Sequence, residues 1–228
     1  IHTGDINGTS ETKYMHTADA VRKQLEYIKE KDPNHVAIFG ADHIYKMDLS
    51  QMRNFHIKNN ADLTIAGIPM KLSEIPLEKG GNVGFGLIKV DENGKVLDFA
   101  EKPMPEDAPR IPDNEEFVMV SMGNYYFKKD ALLEGLALDE VSLDFGKHVI
   151  PYLKESGKAL YVYDFSTNKI EGEGEPTWRD VGTIKEYYEA HMDLVAQMPK
   201  INMHNKEWPI HHATQSSALG ATFIVTGR

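Results

Sequence analysis

Four side chains in this sequence have the type and setting for chemistry around a cation or a phosphate. Asp42 follows the apolar run Val36-Ala37-Ile38-Phe39 and the small residues Gly40 and Ala41. Such a run, preceded by Asp32-Pro33-Asn34, predicts a strand buried on both faces of a mostly parallel sheet. Asp42 then stands just past its carboxyl end, where open α/β sheets leave a crevice for ligands. The other reading of Asp42 is a cap on the helix that follows. Glu101 and Lys102 end a strand pattern and are held in orientation by Pro103. Glutamate accepts hydrogen bonds from vicinal hydroxyls and lysine pairs with a phosphate monoester, while the alternative is an exposed ion pair. Asp180, in Trp178-Arg179-Asp180-Val181-Gly182-Thr183, precedes a helix that either it or Thr183 could cap. Aspartates suit Mg2+, which takes one or two carboxylates and completes its shell with phosphate oxygens and water.

The elements that position these residues follow from periodicity. A helix is predicted from Thr17, with Val21, Leu25 and Ile28 on one face, Thr17 as N-cap and Asp19 near the positive end. Tyr14, just before it, reads as a staple against the helix. A helix over 49–60 and a strand over 62–68 complete a βαβ unit with the strand before Asp42. Gly80, Gly81, Gly84 and Gly86 lack the Gly-Lys-Ser/Thr ending of a phosphate loop. They read as a strand start open to a ligand, or as a flexible turn. Strands over 86–90 and 95–100 flank an Asn93-Gly94 hairpin turn. Residues 104–116 form a proline-rich, acidic surface loop. A strand over 117–127 is broken by Ser121 and Gly123, where backbone could face a ligand. Helices over 129–138 and 144–156, a strand over 159–165 and a helix over 183–197, with Ile184, Tyr187, Tyr188, His191 and Leu194 on its apolar side, follow. The Asp144-Phe145-Gly146 string is not that of a kinase, whose other motifs are missing. Residues 1–13 read as loop and 200–228 as a polar connector with a strand at 221–225. His211 and His212, adjacent on an extended chain, point to opposite faces and do not make a metal pair.

Composition narrows the classes. At 228 residues, with 41% hydrophobic and 26% charged residues, the chain can bury one substantial core. A formal charge of −10 without clustered Lys and Arg speaks against a nucleic-acid partner. No stretch approaches a membrane span and no signal peptide is evident. Without cysteine there is no thiolate nucleophile, disulfide or zinc–thiolate site, which fits a cytoplasmic protein.

The strings T-A-D-A-V, G-A-D-H-I-Y-K-M-D, F-A-E-K-P, S-M-G-N-Y-Y-F, D-F-G-K and W-R-D-V-G-T occur in register from about Tyr14 to the end. In this order and spacing the chain resembles bacterial glucose-1-phosphate adenylyltransferase, also called ADP-glucose pyrophosphorylase. The resemblance implies an α/β fold with a mostly parallel, Rossmann-like sheet of GT-A type flanked by helices and incomplete at the N-terminus. It implies a partial catalytic domain over 1–199, with 200–228 leading toward a left-handed β-helix. The family's glycine-rich nucleotide loop has no counterpart in this chain. The implied reaction joins ATP and glucose 1-phosphate into ADP-glucose and pyrophosphate, for glycogen synthesis. By resemblance Asp42 and Asp180 ligate Mg2+, with Asp42 and Lys102 catalytic. Lys102 holds the sugar phosphate, and Glu101, Ser121 and Gly86 hold the glucose. Tyr14 lies near the sugar nucleotide, although Met15-His16 stands where the family has Arg-Gly. A homotetramer under allosteric control is also implied. The alternatives are a relative using UTP, GTP or dTTP, and a non-catalytic regulatory subunit of the same fold.

Overall fold

The computed structural model describes residues 14–112, 114–141 and 143–210. The expected loop over 1–13, the His211-His212 pair and the strand at 221–225 lie outside them. In chain order the elements are α1 (Thr17–Arg22), α2 (Leu25–Lys31), β1 (His35–Ile38), β2 (His43–Tyr45), α3 (Leu49–Lys58), β3 (Leu63–Lys71), β4 (Leu87–Val90), β5 (Val96–Ala100), β6 (Phe117–Lys128), α4 (Lys129–Leu136), α5 (Ile150–Glu155), β7 (Leu160–Asp164), β8 (Trp178–Asp180) and α6 (Ile184–Leu194). They divide into two compact units, residues 1–39 with 52–164, and residues 40–51 with 165–228.

The first unit is built on β6, twelve residues rich in aromatic and β-branched side chains. One edge of β6 pairs antiparallel with β3, from Leu63 opposite Phe127 to Lys71 opposite Phe117. Its other edge is shared, with β4 opposite Met119 and Val120 and β1 opposite Tyr125 to Lys128. The hairpin partner β5 pairs with β4, and β7 pairs with β3 in parallel. Thus β1, β3, β4 and β7 point one way, as an α/β fold with a mostly parallel set of strands requires. The pairing differs from expectation, because β6 runs against them through the middle and leaves β3–β7 as the one parallel ladder among the described residues. A strand that returns from a hairpin can pair antiparallel on both sides, and the nearly continuous apolar run of β6 does not encode its direction. For the same reason β1 is not enclosed: it has β6 on one edge, and Ala37 is exposed.

Helices cover both faces of this sheet. On one, Phe127, Leu132, Phe145, Val149 and Leu153 are fully or almost fully buried with Ile65 and Leu63, each large side chain contributing ~1.5–3 kcal/mol. On the other, α3 brings His56 to Thr64, with Nδ1 and Oγ1 2.8 Å apart, and its ring lies edge-on to Tyr126. Burial, with the charges of His35 and Lys128, pushes the His56 pKa down to about 4. The expected hairpin turn is present, with Gly94 at φ +77 and Asp91 Oδ1 accepting from the amides of Asn93 and Lys95. The helix expected from Thr17 is broken at Lys23-Gln24 into α1 and α2. Thr17 is not its N-cap, a position held by His16; the Thr17 hydroxyl bonds the Asp144 carboxylate instead.

The second unit holds the antiparallel pair β2–β8, with His43 opposite Asp180 and Tyr45 opposite Trp178. Neither three-residue strand is legible from pattern. Its anchor is Lys46, whose ammonium reaches the Glu173 carboxylate and the Asn202 carbonyl, both ionic side chains being almost wholly enclosed. Burial opposes the Glu173 charge, but donors from Lys46, Asn205 and the Asn202 amide prevail and hold its pKa below the usual value. Lys46→Met strands this carboxylate and is expected to cost about 3 kcal/mol or more in urea unfolding, most of it recovered in Lys46→Met/Glu173→Leu. A cost under about 1 kcal/mol for the single variant would show that the pair is not an anchor. Thr183 and Glu186 form a reciprocal capping box at the start of α6. The helix expected over 183–197 ends at Leu194, and its apolar stripe, Ile184, Tyr187 and Tyr188, is exposed rather than buried.

Candidate functional site

In the second unit the chain turns at Gly40 and Ala41 into Asp42, and β2 begins one residue later. No helix starts at Asp42, so capping is not its role; α3 is opened by Asp48, whose carboxylate accepts from the Ser50 amide. A Cβ on Gly40 would lie 3.1 Å from Asp42 Oδ1 and 3.5 Å from the His43 ring, so glycine leaves the space these groups occupy. The ladder sets His43 opposite Asp180, and Asp180 is fixed by the Gly182 amide donating to its Oδ1 at 3.0 Å. Capping of α6 falls to Thr183. One ligand atom from each of Asp42, His43 and Asp180 lies within 4.8 Å of the others. His43 was not singled out in the sequence; its place beside Asp42 in G-A-D-H was the available signal. The His43 ring is packed edge-on against Trp178 at 5.1 Å between centroids. Two carboxylates suit Mg2+, and the donor set therefore fits the cation that the resemblance implies.

In the first unit the β4–β5 hairpin and β6 bring Gly86, Glu101 and Ser121 together. The Ser121 amide donates to the Gly86 carbonyl at 2.9 Å, extending the ladder. Ser121 stands where β4 leaves β6 and before β1 joins, next to Gly123 at φ +69 and opposite a register shift in β3. That break in the ladder is the interruption expected of Ser121 and Gly123. Glu101 is fitted between two glycines: a Cβ on Gly86 would lie 2.9 Å from its Oε2, and a Cβ on Gly146 would lie closer still. Burial, and then the charge of Asp144, raises the Glu101 pKa, against the pull of Lys102 and Lys147. Tyr125 shares a hydrogen bond with Ser121, and burial with the nearby Glu101 charge pushes its phenol well up. Asp144 is held by the Gly146 and Lys147 amides and by the Thr17 hydroxyl. Asp144, Gly146 and Tyr125 belong to this cluster; they fall in the strings D-F-G-K and S-M-G-N-Y-Y-F, but the sequence reading assigns these three residues no site role.

Lys102 is placed differently. Its backbone is left-handed, at φ +48, a strained conformation for a lysine before proline. Its ammonium pairs with Glu78, which raises its pKa, and both side chains are largely exposed. Its carbonyl accepts from Asn82 Nδ2 at 2.8 Å. Tyr14 receives the Gln24 side-chain amide on its hydroxyl at 3.1 Å and carries the Lys23 ammonium 5.7 Å over its ring. Both partners lie in the break between α1 and α2, so these contacts are not the apolar contact of a staple on the first turn of α1.

Comparison with known proteins agrees across both units. The chain is 46% identical over 203 residues to glucose-1-phosphate adenylyltransferase 1 of Vibrio cholerae, covering 87% of this chain and 48% of that protein. It is 47% identical over 204 residues to the glucose-1-phosphate adenylyltransferase of Photobacterium profundum, again 87% and 48%. For that of Thermodesulfovibrio yellowstonii the figures are 44% over 206 residues, 88% and 48%. The chain thus spans about half the length of the curated relatives it matches. The model of the nucleotidyl transferase family matches residues 3–197, most of the sequence, and the chain belongs to that family.

Proposed function

We propose that this chain is the sugar-phosphate and metal-binding part of an enzyme that makes ADP-glucose and pyrophosphate from ATP and glucose 1-phosphate, for glycogen synthesis. The observation that supports the reaction class is that Asp42, just before the β2–β8 ladder, and Asp180, within it, bring carboxylate oxygens within 4.8 Å of each other. Adenylyl and glucose, as against another base or sugar, come from the names of the relatives. Asp42 and Asp180 would hold Mg2+. Bound there, the ion would neutralise phosphate charge, so that an oxygen of the sugar phosphate can approach the α-phosphorus of ATP. Glu101 would accept from glucose hydroxyls, with the Ser121 hydroxyl and the open backbone at Gly86 beside it. Lys102, on exchanging Glu78 for substrate, would hold the sugar phosphate. Tyr14 would lie near the sugar nucleotide. No protein nucleophile is needed, since positioning and charge neutralisation do the work.

Within this reading the whole enzyme is a cytoplasmic homotetramer under allosteric control, with neither nucleic acid nor membrane as partner. No helix among the described residues is long and apolar enough to cross a membrane. The test is product formation by the intact protein with glucose 1-phosphate and each of ATP, UTP, GTP and dTTP. ATP is expected to be preferred at least tenfold in kcat/KM. A preference for another triphosphate would reassign the base, and no turnover with any would favour a regulatory subunit.

A further inference from the structure

His43 is the residue of the cation cluster that the reaction as proposed does not use. Its Nε2 lies 3.6 Å from Asp42 Oδ1 and 4.0 Å from Asp180 Oδ1, beyond hydrogen-bond reach of both. Its Nδ1 is buried and meets no hydrogen-bond partner among the described residues. A buried imidazole nitrogen without a partner is unfavourable, because it has given up water without replacement, and the other nitrogen, Nε2, is the one turned toward the two carboxylates. Trp178 packs edge-on against the ring, and the ladder sets His43 opposite Asp180. Three donors that converge without touching one another have the spacing of ligands around a shared centre. Two ligands at right angles on an ion, each about 2.1 Å away, stand about 3 Å apart, and opposite ligands about 4.2 Å. The observed separations of the His43 nitrogen fall between these.

We infer that His43 is a third protein ligand, through Nε2, making the cation site a two-oxygen, one-nitrogen set that prefers Mn2+ or Co2+ to Mg2+. The inference rests on Asp42 and Asp180 holding a cation. Mg2+ gains little from imidazole, whereas first-row transition ions bind nitrogen donors progressively better. A two-aspartate site lacks that discrimination.

The probe is Mn2+ added to the intact protein without nucleotide, with affinity read by electron paramagnetic resonance and Mg2+ affinity by competition. Spin-echo modulation from a directly bound imidazole nitrogen is expected, changing its pattern when the unmodified protein is labelled with 15N-histidine and vanishing in His43→Asn. In that variant Mn2+ affinity is expected to fall at least about tenfold, the low end for losing even an indirect metal contact, and Mg2+ affinity to stay nearly constant. Bound Mn2+ without histidine modulation in the unmodified protein would overturn the assignment, whatever the variant's folding. So would equal loss of both ions in a folded His43→Asn. Mn2+ binding that survives both Asp42→Asn and Asp180→Asn would sink the underlying two-aspartate reading instead.

Discussion

Asp180→Asn is expected to lower kcat about a thousandfold in the intact enzyme, the several kcal/mol that a positioned cation supplies to a developing phosphoryl charge. The fold is expected to survive. Asparagine keeps an oxygen that can accept from the Gly182 amide, which donates to the Asp180 carboxylate at 3.0 Å. Helix α6 does not depend on it, because Thr183 and Glu186 cap that helix themselves. Removing one of two neighbouring negative charges also relieves repulsion with Asp42, so the thermal midpoint should hold or rise slightly. Asp42→Asn is expected to behave alike, its side chain being exposed and no helix resting on it. Steady-state kinetics with circular dichroism on the same samples checks both. A kcat within tenfold of the parent, in a folded variant, would remove these aspartates from the reaction.

How far the sequence disclosed this arrangement can be followed residue by residue. The Asn93-Gly94 turn, the β6 run and the α/β alternation were legible because turn chemistry and apolar periodicity are local signals. The direction of β6 was not, since a strand pattern is the same read either way. The stripe Ile184, Tyr187 and Tyr188 was correctly helical in period, yet period says nothing of what covers it, and in the structure these side chains are exposed. Asp42 shows the same limit at the site. Its place after a strand was readable, but on that stretch alone ligand and cap were equally open, and the structure removes the cap by placing β2 where a helix was the alternative. His43 lay one residue away and stayed hidden, because its neighbour Asp180 is distant in sequence and β2 and β8 are too short to register as strands. Gly146 was lost inside an expected helix. That segment begins instead with a π-helical turn over Phe145–Val149, capped by Asp144, which brings the glycine against Glu101.

Glu101→Gln separates binding from stability, and its two effects should have opposite signs. The ionised carboxylate is unfavourable in the fold, since burial and Asp144 raise its pKa above the usual value. A raised carboxylate pKa means that the unfolded chain ionises more readily. The resulting loss of stability is present above the folded-state pKa and disappears below the unfolded value near 4.5, where both states are protonated. The glutamine variant is therefore expected to melt higher than the parent at pH 7, with the difference shrinking as pH falls into the carboxylate range. Its amide fills nearly the same volume between Gly86 and Gly146, so no clash offsets the gain. Catalysis should move the other way. Two hydrogen bonds from glucose hydroxyls to a charged acceptor are worth ~1.5–3 kcal/mol each, and weakening both is expected to lower kcat/KM for glucose 1-phosphate about a hundredfold. The KM for ATP should change little. Melting curves from pH 4 to 8, with initial rates at varied glucose 1-phosphate, carry the test. Lower stability at pH 7 would show that the carboxylate is a structural partner, and an unchanged KM for the sugar phosphate would show that glucose binds elsewhere.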